Sequence, residues 1–240
     1  MTETAPRSEH PPIMSIRENS IDFDAVFTGL RELFHQHRAP VVDLIEAQTS
    51  DPFKVLVATI LSARTKDETT TMVTQKLFAR VNAPEDLERL SVPELEELVH
   101  PAGFFRNKAK HLHELPRVLR EEFDGEIPRT IEGLTRLPGV GRKTANLVLA
   151  IGFRIPAVCV DVHVHRIMNR LGYVDTKTPL ETEMALREKM PQKYWLEFNS
   201  YFVSFGQNLC HPRNPRCDRC PIYRHCARIG VITKYPRESE

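Results

Sequence analysis

The chain has 240 residues, of which 41% are hydrophobic and 27% charged. These are ordinary proportions for a soluble globular protein of one large or two small domains, and they exclude wholesale disorder and fibrous repeats. No stretch approaches the ~18 apolar residues of a membrane span. The 33 Lys and Arg against 32 Asp and Glu leave a net charge of only +1, which on its face argues against a nucleic-acid binder.

Residues 1–19 offer almost nothing to bury and predict a flexible tail. They also lack the apolar centre of a signal peptide, so a cytoplasmic location is expected. From about residue 20 the pattern is helical nearly throughout. Phe23, Val26, Phe27, Leu30 and Phe34 recur at helical spacing. Val55, Leu56, Thr59 and Ile60 continue after Asp51-Pro52. Asp67 precedes an apolar face running through Met72, Val73, Leu77 and Phe78. Ser91 and Glu94 form a capping-box pattern, and Thr130 is placed to cap a short helix through Leu134. The one strand candidate is residues 155–160, and six residues alone do not make a sheet. The expected fold is all-α, with many short helices.

The segment 134–152 predicts a helix, a tight glycine hairpin and a second helix over 142–151. Pro138-Gly139 suits the centre of a type II turn, with glycine supplying the positive φ. Gly139 and Gly141 leave backbone N–H groups bare where a helix begins, which makes a candidate anion site; the alternative is a plain helix–helix turn. Lys143 falls in the first turn of the second helix, where a cation opposes the helix dipole. That field, with partial desolvation, favours the neutral amine, the form a nucleophile needs. An exposed surface lysine is the ordinary alternative.

Residues 159–172 follow. Asp161 leaves an apolar stretch and starts a helix that Gly172 stops; it could be an N-cap, a catalytic carboxylate, or both. His163 and His165 lie two apart and point to different helix faces, against a shared metal site. Cys159 reads as a small buried hydrophobe. The other four cysteines, Cys210, Cys217, Cys220 and Cys226, are spaced C-x6-C-x2-C-x5-C. Four thiolates in one loop suit a tetrahedral zinc site or a four-cysteine iron–sulfur cluster, and a reducing compartment, better than disulfides.

The net charge hides a partition that matters here. Residues 1–100 carry 10 basic and 17 acidic side chains, and 101–155 carry 10 and 6. Residues 206–237 carry 7 and 1. The two basic segments hold the hairpin and the cysteine loop.

The string Leu137-Pro-Gly-Val-Gly-Arg-Lys-Thr-Ala-Asn146, the Asp161 helix and the terminal cysteine loop together resemble the endonuclease III family of helix–hairpin–helix DNA glycosylases, over about residues 20–230. The resemblance implies a [4Fe–4S] cluster on the four cysteines. It implies a two-domain fold: a central helical domain at 45–155, and a cluster domain joining 20–44 to 156–230, with a tail at 231–240. It also implies a monomer acting on double-stranded DNA with damaged pyrimidines or abasic sites. In this reading Lys143 attacks C1′ of an extruded nucleotide, a Schiff base forms, and β-elimination cuts the strand. Asp161 assists lysine deprotonation and stabilises the cationic sugar. Gly139 and Gly141 hold a phosphate, with Arg142 a further candidate. Leu61-Ser-Ala-Arg64-Thr-Lys-Asp67 resembles a loop whose glutamine fills the gap left by the flipped base; here that residue is Arg64. In the loop starting at Gly103, Phe104 stands where the family carries an aliphatic wedge. An adenine- or thymine-mismatch glycosylase of the same superfamily is disfavoured by Lys143. A non-catalytic hairpin DNA-binding protein would need neither Lys143 nor Asp161.

Overall fold

A computed structural model describes residues 21–37 and 39–236; the expected tail at 1–19 and the end of the one at 231–240 lie outside these residues. Twelve α-helices stand in order among the described residues, with no strand. They are α1 (Phe23–Gln36), α2 (Val41–Thr49), α3 (Pro52–Ser62), α4 (Asp67–Phe78), α5 (Pro84–Glu88), α6 (Val92–Val99), α7 (Phe105–Phe123), α8 (Ile131–Leu134), α9 (Arg142–Leu147), α10 (Val162–Leu171), α11 (Pro179–Lys189) and α12 (Trp195–Asn208). None is long and apolar enough to cross a membrane.

Local chemistry explains most of the boundaries. Asp22 caps α1 by accepting the Ala25 amide, and Asp51 caps α3 by accepting that of Phe53, with Pro52 pre-set at the first helical position. Ser91 and Glu94 form the reciprocal capping box at α6. Thr130 caps α8 by accepting the Gly133 amide at 3.1 Å. On α4 the expected apolar face is narrower: Val73 and Leu77 are fully buried, but Met72 is 39% exposed. Thr70 and Thr74 complete the buried face instead, their hydroxyls satisfied by the carbonyls one turn back.

The buried side chains form two large cores. The first is built from α3 to α9, with Leu56, Ile60, Leu77, Leu95, Leu112 and Leu115 among its fully buried members. The second joins α1 to α10–α12, centred on Leu30, Phe198 and Phe202. A smaller cluster lies between them, in which Val41, Val42 and Ile45 of α2 meet Val55, Leu147, Ile151 and Cys159. Asp43 of α2 accepts the Ser200 hydroxyl of α12 there, and burial raises its carboxyl to about 6.

Residues 155–160 are extended but pair with nothing as a strand. The reason is their position. Ala157 belongs to the first core, Val158 and Val160 to the second, and Cys159 to the cluster between. The run is apolar because it threads from one core to the other, which leaves no room for a partner strand. The second hairpin helix also departs from the expected regularity: α9 ends at Leu147 and continues as a π-helix over Val148–Gly152. Such wide turns are uncommon and concentrate near functional sites.

Candidate active site and cysteine loop

The hairpin forms as its residues require. Leu134, Leu137 and Val140 are buried, and the Val140 amide donates to the Leu137 carbonyl at 3.1 Å across Pro138-Gly139. Gly139 has φ +76°, and a Cβ there would lie 2.6 Å from Nδ1 of His111, so both conformation and space demand glycine. Gly141 differs. It caps α9, has an ordinary φ of −93°, and a Cβ would meet nothing within 4 Å. The protein interior therefore gives no reason for glycine at 141.

In the first turn of α9, the Lys143 amine stands 3.6 Å from Oδ2 of Asp161. The lysine side chain is 55% exposed and the aspartate 10%. Asp161 is also the N-cap of α10, its Oδ1 accepting the amides of His163 and Val164 at 2.8 and 3.0 Å. Its two oxygens thus divide the work: one holds the helix start and the other faces the amine. Cys159 is fully buried, with its thiol donating to the Lys143 carbonyl at 3.5 Å and burial pushing it up to about 12. It is a packing residue and not a competing nucleophile.

Arg142 lies beside Lys143 but is already engaged. It holds Glu183 of α11 through Nε and Nη2 at 2.9–3.1 Å. Glu183 is 5% exposed in its side chain and also accepts from Arg187, which donates in turn to Asn146 of α9 at 2.7 Å. Removing Arg142 would leave the buried Glu183 carboxylate with Arg187 as its remaining cation, an unfavourable change. Sequence reasoning missed Glu183, since nothing local ties it to a residue 41 positions away.

Arg64 and Phe104 meet. Both adopt left-handed backbone conformations, with φ of 53° and 57°, and the Arg64 guanidinium carbon sits 5.5 Å from the centre of the Phe104 ring. Phe104 is 60% exposed, whereas its neighbour Phe105 packs edge-on against His100 and the first core. Gly103 lies so close to the Arg64 carbonyl that a Cβ would come within 2.3 Å of its oxygen. A cleft opens beside this pair, lined by Thr65, Lys66 and Asp67 on one side and Gln207 and Asn208 on the other.

The four cysteines line one cavity against the second core, with Ile167, Leu171, Leu209 and Ile222. Among the described residues no three His, Cys, Asp or Glu side chains converge on a point as around a single ion. The four cysteines instead share the lining of a single cavity. Arginines of α10 fix the loop: Arg170 donates to Cys210 Sγ at 3.3 Å and to the carbonyls of His211 and Pro212, and Arg166 to the Cys210 carbonyl. Burial, reinforced by the neighbouring sulfurs, raises Cys217 and Cys226 and pushes Cys220 up to about 12. Such buried thiols ionise together only beside a compensating metal charge, so the donor set fits a bound metal cluster. Residues 231–236, expected as part of a tail, are strapped to this loop: the Thr233 hydroxyl donates to the Pro215 carbonyl, the Asp218 amide to the Tyr235 carbonyl, and Arg216 stacks on Tyr235 at 4.3 Å.

Comparison with known proteins agrees with this arrangement. Residues 57–192 match the family described as HhH-GPD superfamily base excision DNA repair protein, and residues 210–226 match the iron-sulfur binding domain of endonuclease III. Fold and hairpin thus define a helix–hairpin–helix protein of base excision repair. The chain is 46% identical to endonuclease III of Thermotoga maritima over 177 residues, covering 74% of this chain and 83% of that one. It is 39% identical to endonuclease III of Bacillus subtilis over 178 residues, covering 74% and 81%. A structure of a non-covalent endonuclease III–DNA complex superimposes with a TM-score of 0.71 at 32% identity, covering 85% of this chain and 94% of that one. A thermostable thymine-DNA glycosylase shares the fold, with a TM-score of 0.72 at 24% identity. The chain belongs to the endonuclease III family: it is a DNA-binding glycosylase and apurinic/apyrimidinic lyase with a [4Fe–4S] cluster.

Proposed function

We propose that this enzyme excises oxidised pyrimidines from double-stranded DNA and cuts the strand at the resulting site, with Lys143 as nucleophile and Asp161 as its proton acceptor. The observation that carries this reading is the 3.6 Å approach of an exposed amine to a nearly buried carboxylate. With the damaged nucleotide extruded, the neutral amine attacks C1′ and the glycosidic bond breaks, the base leaving with the bond's electron pair and taking a proton from solvent. The amine's proton passes to Asp161 Oδ2. Ring opening then gives the Schiff base, and loss of a C2′ proton expels the 3′ phosphate. Asp161 also stabilises positive charge developing on the sugar.

The remaining assignments follow the same reading. The bare Gly141 and the Gly139 turn let a phosphate approach backbone N–H groups closely. Arg142 serves chiefly to seat α9 through Glu183, with its half-exposed guanidinium edge left for a phosphate. Arg64 fills the gap left by the extruded nucleotide, and Phe104 wedges between bases. We assign the first core to a central domain at 45–155 and the second to a cluster domain of 20–44 with 156–230, with α2 straddling the first boundary and the DNA lying across the cleft between them. The enzyme acts as a monomer on cytoplasmic DNA.

The test is borohydride reduction on a panel of single-lesion duplexes. A covalent adduct should form with oxidised pyrimidines and with abasic sites. Base release without any adduct would overturn the lyase mechanism.

Cys210, Cys217, Cys220 and Cys226 are proposed as the cluster ligands. When bound, the cluster supplies a fourfold cross-link and the charge that the buried thiolates need. Cys226→Ser should give protein with little iron and a weakened visible absorption band. Iron content unchanged from wild type would remove Cys226 from the ligand set.

A further inference from the structure

Arg64 and Phe104 lie on loops far apart in the chain, both in left-handed conformations, and Phe104 opens α7 without a side-chain cap. Something must hold them together before DNA arrives. The side chain that does so is Lys108, one turn into α7 and 5% exposed. Its ammonium donates to the carbonyls of Leu61 and Ala63, both at 2.7 Å, and to the Thr65 hydroxyl at 2.8 Å. All three of its donors are therefore used, and they are used on the loop that carries Arg64. The carbonyls lie where α3 ends, a position that also favours a cation, and that of Ala63 accepts the Thr65 hydroxyl as well at 3.3 Å.

The Thr65 hydroxyl completes the link. It accepts the Gly103 amide at 3.1 Å as well as the Lys108 ammonium. Gly103 precedes Phe104 directly, and its missing side chain lets the two backbones touch. Burial lowers this ammonium to about 8, and no carboxylate pairs with it among the described residues. Burying an unpaired cation is costly. A methionine of similar length would fill the same space without that cost but could not bind the carbonyls.

We infer that Lys108 is a positioning residue for base extrusion: by clamping 61–65 to 103–104 it presents Arg64 and Phe104 as one preassembled wedge. This rests on the proposed wedge role of those two side chains. The clamp matters only where a nucleotide must be pushed out of a duplex. It is irrelevant to the lysine chemistry itself once an abasic site is already accessible in single-stranded DNA.

The experiment uses the holoenzyme and three variants: Lys108→Met, Thr65→Val and the double substitution Arg64→Ala/Phe104→Ala. Duplex excision is measured together with the fluorescence of 2-aminopurine placed opposite a tetrahydrofuran abasic analogue. Cleavage of a single-stranded abasic oligonucleotide is the control. Lys108→Met should lower duplex excision about tenfold and suppress the fluorescence rise, while single-strand cleavage stays near wild type. Thr65→Val should show the same pattern more weakly, and it decides the question if Lys108→Met fails to fold. Adding Lys108→Met to the double variant should cause no further loss. If the double variant is defective on duplex while Lys108→Met and Thr65→Val are not, the positioning role is overturned and the wedge stands. Equal loss on single and double strands overturns it too, by showing general damage. A double variant fully active on duplex overturns the wedge reading itself, and the clamp with it.

Discussion

Replacing Lys143 by Gln should abolish strand cleavage and borohydride trapping together, while binding to damaged duplex stays near that of the wild type. The separation follows from where the residue sits. Its side chain is 55% exposed at the start of α9, and among the described residues its only charged partner is Asp161. Glutamine is one atom shorter but keeps an exposed polar side chain, so the hairpin and its packing are undisturbed. What goes is the amine, and with it the only route to a covalent intermediate that this site offers, because Cys159 is buried with its thiol pushed up to about 12. Trapping and gel-shift measurements on one abasic duplex check both halves. Surviving cleavage would mean that another amine is the nucleophile.

Asp161→Asn should slow base excision by about 10²–10⁴-fold, the range for a positioned general base, with little change in thermal stability. The amide oxygen of Asn can still accept the His163 and Val164 amides, so the cap on α10 persists. The other position becomes an NH2 group facing Lys143, which can neither take a proton nor stabilise a cationic sugar. Asp161→Ala provides the contrast, since it loses the cap as well and should cost a further ~1 kcal/mol of stability. Single-turnover excision and melting curves on the two variants separate the roles. A mild effect of Asn on rate would leave Asp161 as a cap alone.

The parts of this molecule legible in the sequence are those that depend on near neighbours. The caps at Ser91, Thr130 and Asp161 and the positive φ of Gly139 each involve residues within a few positions of one another. The helical face of α1 is similarly local, although Leu33 and not Phe34 is its last buried member. The residues that went unseen are joined over long separations. Lys108 binds carbonyls 45 and 47 residues away, and Glu183 takes Arg142 from 41 away. Neither lysine nor glutamate advertises burial, because in most proteins both face water. Residues 155–160 misled for the opposite reason: their composition does encode burial, but not that the burial is shared between two cores. Of Phe104 and Phe105, equally apolar, only the backbone turn at 104 decides which one points outward.

The tethering of α9 has a mechanical consequence. Asn146 donates to the Arg142 carbonyl, Cys159 to the Lys143 carbonyl, and Glu183 grips Arg142. Behind these ties the π-helix is buried from Val148 at 0% to Ile151 at 5%. The main chain under the nucleophile is thus anchored from several sides, and freedom of movement begins only beyond Cα of Lys143. A side chain that must bond to a sugar, follow it through ring opening and then let go needs slack. Here the slack is confined to four methylenes, so each catalytic cycle can return the amine to Asp161 without the hairpin having to shift.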